Sequence, residues 1–332
     1  MQAMKLGRTG PVVSALGLGC MGMSPGVYGP ADEAESIATI HAALDAGMNF
    51  LDTGDFYGMG HNEMLIRRAL EGVPRDRVVI SVKFGALRDP AGMFLGNDSR
   101  PAAVKNFLAY SLRRLGTDYI DIYRPARLDP AVPIEDTIGA IAELVQAGYV
   151  RHIGLSEVGP STIRRAAAVA PITDLQIEYS VLDRGIERAI LPVCRELGIG
   201  VTAYGVLSRG LISPDSSATS FGAAGDYRAH SPRFQGTNLE SNLALVEALS
   251  AVASSVGVSV AQLAIAWVLS RGEDIVPVVG MKRRSRIPEA LAAADVVLTP
   301  AHLAQIEAAV PVGAAAGARY PEAQMAALDS EH

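Results

Sequence analysis

The sequence predicts an α/β fold: a single (β/α)8 barrel spanning residues 1–332. Three observations carry this expectation. Eight short runs rich in β-branched residues recur along the chain. Segments of helical period separate them, and no composition break or linker divides the sequence. With 332 residues, 49% of them hydrophobic, the chain can fill one barrel of this size. The open doubly wound sheet shares the same alternation and is the competing architecture.

The expected strands lie at 14–19, 48–52, 78–84, 119–125, 152–157, 174–180, 200–206 and 275–280. Helical patterns at 32–47, 100–116 and 133–148 end on Gly47, Gly116 and Gly148; the first opens on acids and the other two have Pro close to their starts. These residues satisfy the orphan groups at helix ends. Shorter patterns follow at 62–72, 160–170 and 187–198, the last carrying Pro192. A Ser-, Gly- and Ala-rich loop at about 208–237 is longer than ordinary connections. Helical segments at 238–257 and 259–271 then supply one helix more than the repeat needs. The Ala/Gly-rich tail, 313–332, reads as variable, with at most a short helix.

Bulk properties narrow the function. A net charge of −6 argues against nucleic acid as a partner. No run of 18 apolar residues suggests a membrane span, and the N-terminus lacks an apolar signal core, so a cytoplasmic protein is expected. Cys20 and Cys194 form no CxxC pair, and neither a disulfide framework nor a metal site is expected. "GLGCMG" (17–22) matches G-x-G-x-x-G, but "MSPGVYGP" follows it where a dinucleotide-binding helix would have to start.

In such a barrel, chemistry sits at the C-terminal strand ends. Asp52 ends the second expected strand, with Tyr57 five residues on, and Lys83 lies near the end of the third. A phenol's ordinary pKa of about 10 makes it a weak acid at neutral pH. A neighbouring ammonium favours the phenolate, and a carboxylate can hold that ammonium in place. The same residues also suit a purely structural ion pair beside a loop aromatic. Ser156, Gln176 and Tyr204 occupy comparable strand ends. "GMKRRSR" (280–286), before the helical pattern "IPEALAAADV", suits either a bound anion or a solvated charged face.

Together the motifs "FLDTGDFYGMGHNE" (50–63), "VVISVKFG" (78–85), "GYVRHIGLSE" (148–157), "LQIEYS" (175–180), "AYGVLSRGL" (203–211) and "VPVVGMKRR" (276–284) resemble the aldo-keto reductases, over about residues 4–311. The resemblance implies NADP(H) held across the C-terminal face and hydride transfer to an aldehyde or ketone, or from the corresponding alcohol. Tyr57 resembles the general acid/base, Lys83 its tuning partner and Asp52 the residue that holds Lys83. Tyr204 resembles the aromatic that stacks on nicotinamide, and Ser156 and Gln176 the carboxamide contacts. Cys20, Met21 and Asp52 fall among the implied cofactor contacts. Gly205, Leu207, Arg209 and Gly210 resemble the pyrophosphate belt. Gly280, Lys282, Arg283 and Arg286 resemble the 2′-phosphate site, and Glu289 an adenine contact.

The chain also departs from that pattern. Glu157 stands where Asn is common, Ala290 where Asn is usual, and Met281 where Ser or Thr is usual. Above all, the fourth strand ends in Ala126-Arg127-Leu128-Asp129-Pro130, where the family has His-Arg-x-Asp-Pro. The His that would direct the carbonyl is a methyl group here. Arg124 and His61 are the replacement donors weighed from sequence, with Tyr57, Arg124 and Ala126 lining the substrate pocket. Two other readings share these residues: a catalytically weak NADPH-binding regulatory protein, and a Schiff-base aldolase using Lys83. Neither the physiological substrate nor the oligomeric state is legible.

Overall fold

In the computed structural model, eight parallel strands close into a barrel in chain order: β1 (Gly17–Gly19), β2 (Phe50–Gly54), β3 (Val79–Phe84), β4 (Ile120–Pro125), β5 (Val150–Ser156), β6 (Ile172–Glu178), β7 (Gly200–Tyr204) and β8 (Ile275–Gly280). Residues 2–213, 221 and 226–331 are described, so part of the long loop expected at 208–237 lies outside the described residues. Closure comes from β8 pairing with β1, Val278 opposite Gly17 and Gly280 opposite Gly19, which excludes the open sheet.

All eight expected strands are present. The run expected at 14–19 is divided. Val12–Ser14 pairs antiparallel with Ala3–Lys5, and only Gly17–Gly19 enters the barrel. This N-terminal hairpin brings Leu6 and Val13 against Phe50, Val79, Ile122, Val276 and Val278, sealing one end of the interior with apolar side chains.

The surrounding helices are α1 (Glu33–Asp45), α2 (His61–Ala69), α3 (Pro101–Leu115), α4 (Ile134–Gln146), α5 (Pro160–Val169), α6 (Ile190–Leu197), α7 (Gly236–Val256), α8 (Val260–Leu269), α9 (Ile287–Ala292), α10 (Pro300–Ala309) and α11 (Glu322–Met325). Their ends follow local chemistry. The Asp32 carboxylate accepts from the Glu35 amide at 2.8 Å, and Ser259 with Gln262 forms a capping box before α8. Pro192 falls in the first turn of α6, where its missing N–H costs nothing. α7 is the extra helix the sequence predicts. α10 was not expected, although Thr299 and Pro300 give it a capped start. α9 is only six residues long, preceded by a tight turn at Arg284–Arg286; the helix expected to oppose the basic cluster is therefore shorter than its pattern implied.

Between strands and helices lies the main apolar core; within the barrel the composition is different. Contacts between non-adjacent strands identify the inward side chains. Gln176 of β6 reaches Asp52 of β2, and Arg124 of β4 reaches Asp174 of β6 and Thr202 of β7. The interior is thus a polar stack above an apolar plug. Among the described residues, no single helix is long and apolar enough to cross a membrane.

The tail beyond α10 runs back across the C-terminal mouth of the barrel. The Asn242 side chain holds Ala316 at both its N–H and its C=O. Gly317 passes so close to Pro232 that a Cβ there would lie 3.0 Å from its carbonyl carbon. Asp329 accepts from the Gly159 amide at 2.7 Å. α11 is the short helix the sequence allowed in this segment.

Candidate active site

Asp52 and Lys83 form an ion pair at 2.5 Å, with both side chains 6% exposed. The two residues do not sit at the same height. Asp52 sits opposite Ser81, and Lys83 sits opposite Gly54. Lys83 therefore reaches one layer down to its partner, past a residue with no side chain. Asp52 accepts three hydrogen bonds: Lys83 Nζ on Oδ1, and Ser81 Oγ (3.0 Å) and Gln176 Nε2 (2.7 Å) on Oδ2. A buried carboxylate bonded in this way holds the ammonium in one place.

Tyr57 lies above this pair. Its ring centroid is 5.3 Å from Lys83 Nζ, and Phe56 packs edge-on against it at 4.8 Å. It sits on a tight turn, Tyr57–Gly60, in which Gly58, Met59 and Gly60 all have positive φ. Gly54 lets the ring descend: a Cβ there would meet Tyr57 Cε1 at 3.3 Å. Burial pushes the phenol well above its ordinary pKa, and Asp52, Tyr28 and Tyr320 add to this, while the Arg127 cation opposes them. The simple expectation of an acidified phenol is corrected in this state, because desolvation outweighs the nearby cations. Burial lowers Lys83, with Asp52 pulling the other way.

Arg124 is not at the mouth. It is fully buried, 2.9 Å from Asp174, and donates to Thr202 and Ser81. Gly154 makes room for the pair, since a Cβ there would lie 2.7 Å from Asp174 Oδ1. The expected role of Arg124 in the substrate pocket is corrected accordingly: its inward position on β4 places it below the ends of the strands. His61 is turned to Ser24, its Nδ1 2.9 Å from the hydroxyl. Ala126 is at the mouth, held to β3 by its amide on the Phe84 carbonyl, and is 2% exposed.

The residues expected around a cofactor are placed unevenly. Ser156, 1% exposed, has an Oγ with no hydrogen-bond partner among the described residues. Gln176 spends its amide on Asp52. Cys20 is fully buried with its thiol toward the Leu18 carbonyl, so its side chain offers no exposed contact, while Met21 is half-buried beside it. Tyr204 donates to Glu157 Oε1 at 2.6 Å. Gly205, Arg209 and Gly210 take positive φ in the turn after β7, and Leu207 packs against the core. Lys282 donates to the carbonyls of Tyr28 and Pro30, and Arg286 pairs with Glu289. Gly280 and Arg283 are exposed.

The sequence reading missed a second charged cluster. Arg319 of the tail, 5% exposed, bonds Glu157 at 2.8 Å and Glu178 at 3.3 Å. Arg209 bonds Glu178 as well, and its Nη1 donates to the Arg319 carbonyl. Burial would raise the Glu157 carboxyl, but Arg319 and Arg127 overcome this and hold it at about 2. The unusual Glu157 is therefore the tail's anchor. The one signal in the sequence was an Arg-Tyr-Pro triplet in an otherwise Ala/Gly-rich tail.

A further buried acid lies behind the turn that carries Tyr57. Asp55 is driven from 3.8 to about 7 by burial and by the Glu63 charge, against Arg114 and two backbone N–H groups. Its folded value lies above its ordinary one, so the native state holds a proton that the unfolded chain has released. Stability is then lost as pH rises through that window, by about 1.4 kcal/mol per unit, and is flat above it. Asp55→Asn should remove this slope and raise the urea midpoint at pH 8 more than at pH 4; an unchanged pH profile would contradict the assignment.

The sequence model of the Aldo/keto reductase family matches residues 15–311. The chain belongs to this family. It is 41% identical over 321 residues to "Probable aldo-keto reductase 1" of Glycine max, covering 96% of this chain and 92% of that protein. Among solved structures it is similar to the glycerol dehydrogenase of Gluconobacter oxydans (TM-score 0.82, 29% identity, 92% and 94% of the two chains). It is also similar to an aldo-keto reductase of Bacillus halodurans in its holo form (TM-score 0.78, 28% identity, 97% and 99%). As an aldo-keto reductase, the protein is an oxidoreductase of small carbonyl compounds or alcohols that works with a nicotinamide cofactor. The closed barrel and the polar strand ends are where such chemistry is built.

Proposed function

We propose that this aldo-keto reductase is NADP(H)-dependent and that Tyr57 is its general acid/base. The observation that carries the reading is the sealed Asp52–Lys83 pair directly beneath the Tyr57 ring. When bound, the nicotinamide supplies or accepts the hydride. The protein's part is to hold and move the proton. In reduction the Tyr57 hydroxyl gives its proton to the carbonyl oxygen, and the phenolate left behind faces the Lys83 cation, which Asp52, Ser81 and Gln176 hold still. Burial keeps the phenol protonated through neutral pH, the form that reduction needs.

The residues present fit a nicotinamide nucleotide. The unpaired Ser156 hydroxyl is a buried donor aimed at no protein group, as a carboxamide contact would be. Gly205, Leu207, Arg209 and Gly210 would hold the pyrophosphate, and Met21 and Tyr204 would contact the nucleotide. Gly280, Lys282, Arg283 and Arg286 would hold the 2′-phosphate, and Glu289 the adenine. Burial lowers the Lys282 ammonium, and the Arg228 and Arg283 cations lower it further against the pull of Asp226, so an anion placed among them would be favoured. This supports NADP(H) over NAD(H).

Fluorescence titration with NADPH and NADH, followed by turnover on a panel of aldehydes and ketones, tests the reading. NADPH should bind about tenfold or more tightly than NADH, a difference of about 1.4 kcal/mol. Equal affinities would overturn the 2′-phosphate assignment. Tight NADPH binding without turnover on any carbonyl would instead favour a regulatory protein.

A further inference from the structure

The apolar Ala126 leaves the site one polar group short, and geometry removes both replacements considered from sequence. Arg124 is committed to Asp174 inside the barrel, and His61 is committed to Ser24. Two other polar groups meet beside Ala126. Arg127 folds back over its neighbour: Nη1 donates to the Ala126 carbonyl at 2.7 Å, and Nη2 donates to the Tyr320 hydroxyl at 3.1 Å. Tyr320 comes from the tail. Its hydroxyl lies 2.9 Å from that of Tyr204, and its ring stacks under the Arg209 guanidinium at 4.3 Å.

The placement of Tyr320 is built rather than incidental. Its neighbour Arg319 is locked into Glu157 and Glu178, and the Arg319 carbonyl is held by Arg209 at 2.6 Å. Ser330 adds a bond to Glu157 at 2.8 Å. Arg127 and Tyr320 are both half-buried. Glu157 and Ala126, two departures in one chain, thus meet in one device. One anchors the tail, and the other offers the backbone carbonyl on which Arg127 is held beside the tail's tyrosine.

We propose that Arg127, held by Tyr320 of the Glu157-anchored tail, supplies the donor that orients the substrate carbonyl toward Tyr57 in place of the missing imidazole, the Tyr320 hydroxyl accepting from Arg127 and donating to Tyr204. This rests on the reading of Tyr57 as the proton donor. The substrate it implies is a carbonyl compound with an acceptor oxygen exposed on one side, because the Arg127 donor approaches from the end of β4. Arg127 has a second effect, through Tyr57. Its cation is the group that opposes the upward pull of burial, Asp52, Tyr28 and Tyr320 on that phenol.

Steady-state reduction of an aldehyde found in the NADPH panel tests the proposal, using Tyr320→Phe, Arg127→Met and Ala126→His singly and combined. Tyr320→Phe keeps the ring and removes only the hydroxyl. Tyr320→Phe and Arg127→Met should each lower kcat about tenfold or more, with the NADPH dissociation constant within about twofold of wild type. Ala126→His should recover most of the loss in the Tyr320→Phe background and gain little in the wild type, a coupling that independent positions do not give. Arg127→Met should also move the alkaline limb of the reduction profile to higher pH, since a lost cation leaves the phenol protonated longer; a merely structural arginine would not do this. Unchanged kcat in both variants, or an equal gain from Ala126→His in both backgrounds, overturns the proposal. Failure of the underlying reading looks different: Tyr57→Phe would then turn over like the wild type.

Discussion

Tyr57→Phe should lower carbonyl reduction by about 10²- to 10⁴-fold while leaving NADPH binding and thermal stability close to wild type. The substitution removes one oxygen from a ring that is otherwise packed on Phe56 and lies over Lys83. In the proposed mechanism the phenol delivers the proton, and the ion pair beneath it cannot take over. Lys83 Nζ is already bonded to Asp52, and the lysine side chain is only 6% exposed. Stopped-flow measurement of NADPH oxidation separates the chemical step from nucleotide release. A Phe variant retaining more than a tenth of the wild-type single-turnover rate would show that the proton comes from elsewhere.

Arg124→Met should destabilise the fold by about 3–5 kcal/mol, read as a lower urea midpoint. The loss is large because Asp174 is left behind. That carboxyl is fully buried, and burial already raises its pKa despite the pull of Arg124 and the Thr202 hydroxyl. Without the guanidinium it must take up a proton or remain an uncompensated charge inside the barrel. A second substitution, Asp174→Asn, should recover part of the stability by removing the stranded charge. If Arg124→Met unfolds at the wild-type midpoint, the polar stack inside the barrel contributes no stability.

Much of the barrel was legible because its cause is local. Strands buried on both faces need continuous β-branched runs, and helices announce their ends with Asp32, Pro101 or Ser259. Asp52 and Lys83 could be paired from sequence because a lysine inside "VVISVKF" demands a carboxylate. Their difference in height could not be read, since register depends on how neighbouring strands are staggered. Arg124 shows the same limit. Near a strand end, an arginine can point into the barrel or across its mouth, and only the alternation set by Ser81, Asp174 and Thr202 decides between them.

By itself, the sequence determined the alternation of strands and helices, the resemblance to the family, and the pairing of Asp52 with Lys83 near Tyr57. These depend on periodicity and on charges too costly to bury unpaired. The tertiary structure alone decided what covers the site. Arg319 and Tyr320 lie more than 160 residues from Glu157 and more than 190 from Arg127, in a tail with no periodic pattern of its own. Its course across the mouth comes from buried carboxylates seeking a cation, a long-range electrostatic match that no local signal announces.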